Sequence, residues 1–165
     1  MQKILTISFC IYAWYYAWSY SAWHFIDNVN LIFHEAGHAL FMFFGEYIHV
    51  AMGSGFQIIL PLGIALYFFY HGQRISGSLC LLWVGQNLLN VSIYAADAQM
   101  MNLQLLGGDG VIHDWNYLLE TTGILRYTHS IALILYTMGI LMLSMGTVLS
   151  IYYSLNSHTE EKSSL

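Results

Sequence analysis

The sequence predicts an all-α fold: a polytopic membrane helix bundle of about five membrane segments, with a short extra helix near a metal site. Three observations lead there. The 165 residues are 58% hydrophobic and only 8% charged, whereas a soluble domain usually carries about 25% charged residues. Four segments are free of charged residues and apolar enough to enter a bilayer, with turn-forming residues between them. A fifth apolar segment contains His34-Glu35-Ala36-Gly37-His38. Ionisable groups inside a membrane carry a high free-energy cost and tend to be functional.

The first segment runs from Ile4 to Trp23. Its Trp14, Tyr15, Tyr16, Trp18, Tyr20 and Trp23 suit a helix anchored at an interface. Lys3 ahead of it and Ser19-Tyr20-Ser21-Ala22 behind it also fit a secretory signal peptide. The length of the uncharged run favours a retained membrane helix. The next segment, Asp27 to Gly45, carries the histidine motif. Gly45, Gly53 and Gly55 then predict a turn or re-entrant stretch. The second span, Phe56 to Tyr70, is short and holds Pro61, so a kink or an incomplete crossing is expected. Gly77 to Ala96 is the next span.

Met100 to Arg126 is richer in polar residues. Gly107-Gly108-Asp109-Gly110 breaks the chain there, and His113 to Glu120 reads as a short helix ended by Thr121-Thr122-Gly123. The last span, Tyr127 to Leu155, is longer than a crossing needs and should tilt or protrude. Residues 1–155 form one domain, and 156–165 a polar tail expected to be disordered. The formal net charge of −5 offers no basic patch, which excludes nucleic acid as an expected partner. Cys10 and Cys80 both sit in apolar runs and read as packing residues.

On a helix, positions i and i+4 share a face, so His34 and His38 can hold one metal ion together. Glu35 stands beside the first ligand, where it can take a proton from a metal-activated water. A chain of this composition should contain only about 0.01 copies of the pattern by chance. A catalytic zinc commonly takes three protein ligands. His113 and Asp114, at a helix start after a flexible turn, rank first for the third position. Asp97 follows, then Asp109. Gln86, Asn90 and Asp97 share one face of their span, flanked by Asn87 and Tyr94. This polar stripe must face the bundle interior, because unsatisfied polar groups in lipid cost several kcal/mol. Asn30 and Asp27 extend it towards His34 and His38. It can serve as interhelical glue, as an outer shell for the metal, or as both.

These residues resemble the site-2 protease family of intramembrane zinc metalloproteases. The likeness rests on His34-Glu35-Ala36-Gly37-His38-Ala39-Leu40 with Phe44-Gly45-Glu46. It continues through Trp83-Val84-Gly85-Gln86-Asn87-Leu88-Leu89 and Tyr94-Ala95-Ala96-Asp97-Ala98 to Leu106-Gly107-Gly108 and His113-Asp114-Trp115. It covers roughly Asp27 to Leu119 and is closest to small bacterial membrane proteins of that type. The resemblance implies Zn2+, a water nucleophile, and hydrolysis of a peptide bond within or beside the bilayer of a bacterial inner membrane. In that family the third ligand is an Asp followed by Gly in a later membrane helix. The only such pair here, Asp109-Gly110, lies in a Gly-rich loop.

The expected partners are therefore the lipid bilayer and a membrane protein or peptide substrate. Glu35 would be the catalytic base, with Asn90 or Gln86 steadying the oxyanion. The alternative is a zinc-binding membrane protein without peptidase activity, such as a sensor, metal handler or assembly partner, which would not need Glu35. A haem carrier is disfavoured, because two histidines on one helix face cannot bind opposite sides of one haem.

Overall fold

A computed structural model describes residues 2–103 and 112–163, with side chains through 156. Among the described residues the chain is all-helical, with six α-helices and two short 3-10 turns. They are α1 (Gln2–Trp18), α2 (Phe25–Phe41), α3 (Glu46–Tyr70), α4 (Arg74–Ala96), α5 (Asp114–Thr121) and α6 (Thr128–Ser163).

Helix α4 is the centre of the bundle. It packs along α6, against α3, and against α1. Its small residues allow the closest approach: a Cβ on Gly85 would stand 2.8 Å from the Leu143 amide nitrogen and 2.9 Å from the Gly139 carbonyl oxygen of α6. Tyr16, Leu82, Leu89 and Leu143 form the core where α1, α4 and α6 meet. Helix α2 lies on α3, and α5 docks mainly on α3. A hydrogen bond of 3.1 Å from Trp115 Nε1 to Ser54 Oγ fixes that docking.

Three helices are long and apolar enough to cross a bilayer: Glu46–Tyr70, Arg74–Ala96 and Leu125–Asn156. That is the mark of a membrane protein. The other two expected segments are shorter helices of 17 residues each. Helix α1 stops at Trp18 rather than running to Trp23. The Ser19 hydroxyl donates to Tyr15 O at 2.9 Å and lies 3.1 Å from His24 Nε2, turning the chain into α2. Asp27 Oδ2 accepts from the His24 amide at 2.7 Å and ties down the start of α2.

The expected turn or re-entrant stretch at Gly45, Gly53 and Gly55 needs correction. Only Gly45, at φ +89°, makes a turn. Gly53 and Gly55 lie inside α3, which runs unbroken from Glu46 through Pro61 to Tyr70. Each glycine costs a helix about 1 kcal/mol, and at Gly53 close packing against His34 and His38 of α2 offsets that. A Cβ on Gly37 would collide with the Met52 carbonyl, so the two backbones touch. Helix α6 also exceeds expectation. It continues to Ser163, past Leu155 and into the residues read as a disordered tail.

Candidate metal centre

Helix α2 presents His34 and His38 one turn apart on the face turned to α3. Helix α5 brings in Asp114 at its first residue. Asp114 Oδ2 lies 2.9 Å from His34 Nε2 and 3.1 Å from His38 Nε2. The two Nε2 atoms are 3.1 Å apart. In a tetrahedral zinc site with bonds of about 2.0–2.1 Å, neighbouring donors stand about 3.3 Å apart. The observed triangle is a few tenths of an ångström tighter. Among the described residues, His34, His38 and Asp114 are the group whose ligand atoms lie close enough together to hold a metal ion.

The imidazole rings are held for ligation. His34 Nδ1 lies 3.3 Å from Gln57 Oε1, and His38 Nδ1 lies 2.9 Å from the His49 carbonyl oxygen. A carbonyl oxygen only accepts, so each Nδ1 carries a proton, and Nε2 is the atom left to face a metal or, protonated in its absence, to donate to Asp114. His49 answers by donating from Nδ1 to the His38 carbonyl at 2.9 Å. Space is provided by Gly53, whose missing side chain faces both Nε2 atoms. Burial pushes the Asp114 carboxyl up, but its hydrogen bonds and charge interactions with His34 and His38 outweigh that and hold it below the usual carboxylate range.

Of the described residues ranked for the third position, Asp114 joins the two histidines. His113 does not. It caps α5, where its Nδ1 accepts from the Asn116 amide at 3.3 Å, and its Nε2 lies 3.2 Å from Asp97 Oδ2. Asp97 in turn accepts from the Asn102 and Leu103 amides at 3.0 and 2.9 Å. The pair His113–Asp97 therefore braces the approach to α5. Asp109 lies outside the described residues.

Glu35 is exposed, and it lines a cavity of about 1250 Å³ together with His34, His38, Asp114, Asn90 and Tyr94. The polar stripe of α4 does face inward. Asn90 Nδ2 donates to Asp27 Oδ1 at 3.0 Å and its Oδ1 accepts from Gln57 Nε2 at 2.8 Å. Gln86 Nε2 donates to Asp27 Oδ1 at 3.1 Å and its Oε1 accepts from Asn30 Nδ2 at 2.8 Å. Both side chains are thus committed to partners rather than aimed at a reacting oxygen. Tyr94 is better placed. Its hydroxyl accepts from the Asp114 amide at 3.0 Å, leaving its own O–H to donate.

Sequence reasoning missed Gln57 and Gly53 as parts of this site. The i, i+4 relation of Gly53 and Gln57 on α3 was the available signal, hidden by reading Gly53 as a turn. No family model matches the chain, and neither a curated protein nor a solved structure matches it.

Proposed function

We propose that this chain is an integral membrane zinc metallopeptidase of the site-2 protease type, acting on a membrane protein or peptide substrate within or beside a bacterial inner membrane. The observation that carries it is the convergence of His34, His38 and Asp114 on one point, in a cavity that Glu35 also lines. In this reading α1 and α2 are the remaining membrane segments of a five-segment bundle. At about 1.5 Å per residue each is about 26 Å long, close to the bilayer core of about 30 Å. Ile4, Ile11, Phe25 and Ile32 are exposed on them, as lipid contact requires.

When bound, zinc supplies Lewis-acid polarisation of a carbonyl and acidifies a water to a pKa of about 7. The protein's own residues do the rest. Glu35 would serve as the proton carrier, holding a proton on its carboxylate and giving it to the leaving amine. Tyr94 offers its O–H to the oxygen that gains charge. His38 and His34 keep their lone pairs because Nδ1 is occupied on each ring. A substrate helix would unwind locally before reaching the cavity, because helical backbone hides its carbonyls.

The test compares detergent-solubilised, zinc-loaded wild type with Glu35→Gln on labelled casein and synthetic transmembrane peptides, with products read by mass spectrometry. Cleavage by wild type and a loss of about 100-fold or more in Glu35→Gln, with zinc retained, supports catalysis. Zinc-loaded wild type that cleaves nothing, or a variant that cleaves equally well, moves the assignment to a zinc-binding membrane protein without peptidase activity.

A further inference from the structure

Asp27 is the most deeply buried carboxylate of the bundle described here, at 2% exposure, and it does not join the metal triangle. Four donors converge on it. Tyr16 Oη, Gln86 Nε2 and Asn90 Nδ2 donate to Oδ1 at 2.8, 3.1 and 3.0 Å, and the His24 amide donates to Oδ2 at 2.7 Å. From Asp27 one chain of hydrogen bonds leads through Asn90 and Gln57 to His34. A second leads through Gln86 and Asn30 to Trp83.

The direction of these bonds is fixed at one end. An indole N–H can only donate, and Trp83 Nε1 donates to Asn30 Oδ1 at 2.9 Å. Asn30 must therefore give its Nδ2 to Gln86 Oε1, and Gln86 its Nε2 to Asp27. Asp27 also accepts from the His24 backbone N–H, which can only donate. Its second chain then has one polarity: Asn90 Nδ2 donates to Asp27, Gln57 Nε2 donates to Asn90 Oδ1, and Gln57 Oε1 is left facing His34 Nδ1. His34 must place its proton on Nδ1 and its lone pair on Nε2.

We infer that Asp27 is a positioning residue for the metal site: through the relay Asp27–Asn90–Gln57 it sets the tautomer and ring orientation of His34 from across three helices. The inference rests on His34 being a metal ligand. A Leu at position 27 would remove the acceptor that holds this polarity. Asn90 and Gln57 would then be free to turn over, so that Gln57 Nε2 donates to His34 Nδ1 and the His34 proton moves to Nε2, where it blocks the metal. An Asn there would leave the relay intact, because its Oδ1 can still accept from Tyr16, Gln86 and Asn90.

The experiment titrates zinc into wild type, Asp27→Leu, Gln57→Leu and the double variant Asp27→Leu/Gln57→Glu. Binding is read by chelator competition, site geometry by the visible spectrum after cobalt substitution, and folding by circular dichroism. Asp27→Leu should lose about 10–100-fold in zinc affinity, the range found when a ligand's supporting partner is removed. Gln57→Leu should lose a similar factor, since it cuts the relay next to His34. The double variant moves the carboxylate to the other end of the relay. The carboxylate placed at position 57 would accept from both Asn90 Nδ2 and His34 Nδ1–H, so affinity and cobalt spectrum should return towards wild type.

A merely structural role for Asp27 predicts no such rescue. Wild-type affinity in Asp27→Leu, or a double variant no tighter than Asp27→Leu, overturns the relay. If Asp27→Leu does not fold, Asn90→Leu, which cuts the relay between Asp27 and Gln57, decides in its place, and unchanged affinity there overturns the inference. Wild type that takes up no zinc overturns the metal site itself, and the relay with it.

Discussion

Gly53 of α3 faces the Nε2 atom of His38 so closely that a methyl group there would collide with it, and the same methyl would stand 2.7 Å from His34 Nε2. The glycine is the gap into which both Nε2 atoms project. Gly37 is a different case, because a Cβ there would meet the backbone of Met52. A side-chain ring can turn aside, whereas a helix backbone must move as a whole.

Gly53→Ala should therefore fold with a near-normal melting temperature and lose zinc. Gly37→Ala should be destabilised by at least the 1–3 kcal/mol typical of an overpacked core, about that much at minimum because backbone has to shift. Zinc content and thermal melts in detergent, measured side by side, check the contrast. Equal zinc content in Gly53→Ala and wild type would show that the rings have more freedom than their hydrogen bonds to Gln57 and His49 imply.

Asp114 and His113 are neighbours with different tasks, and their variants should separate cleanly. Asp114→Ala should bring bound zinc close to zero, because only two ligands remain. His113→Ala should keep the zinc and lose about 0.5–2 kcal/mol of stability with the cap of α5. Asp97→Ala should resemble His113→Ala, since it removes the other half of the same brace. Metal analysis of the purified variants decides it.

This separation shows where the sequence is informative. His34 and His38 are legible because i and i+4 place them together whatever the rest of the fold does. Asp114 could be narrowed to a short set but not singled out. The choice between it and His113 depends on Asp97 and Asn116 engaging the imidazole, and Asp114 meets His34 across 80 positions of chain. Gln57 was hidden by Gly53, Gly55 and Pro61, which read as breakers because their helix propensities are poor. In the fold, close packing of α2 on α3 overrides propensity. The membrane character followed from composition, while the short α1 followed from a local contest that Ser19 and His24 decide.

Zinc affinity should fall with acidification, and the histidines should set the midpoint. Asp114 is held below the usual carboxylate range, so it stays charged at about pH 5 and above. His34 and His38 must both give up their Nε2 protons to bind, so protons compete with the metal at both rings. The apparent affinity should therefore drop by up to about 100-fold per pH unit once both rings are protonated. Competition titrations between pH 5 and 8 test this. A profile flat down to pH 5 would mean that the imidazoles are not the ligands.

Removing the metal should loosen α5 before the rest of the bundle. Asp114 is the link between α5 and the histidines of α2, and without an ion its hold is two hydrogen bonds. The other ties of α5 include Trp115 to Ser54, Asn116 to the Ala98 carbonyl, the Tyr94 hydroxyl, and the brace of His113 on Asp97. A ligand present at about 100 times its Kd stabilises the native state by about 2.7 kcal/mol. For a chain of this size that corresponds to about 5–10 °C in melting temperature. Chelation should lower the melting temperature by that amount and raise amide exchange first in Asp114–Thr121. Exchange that rises instead along α4 and α6 would place the metal's contribution in the bundle as a whole rather than at the docking of α5.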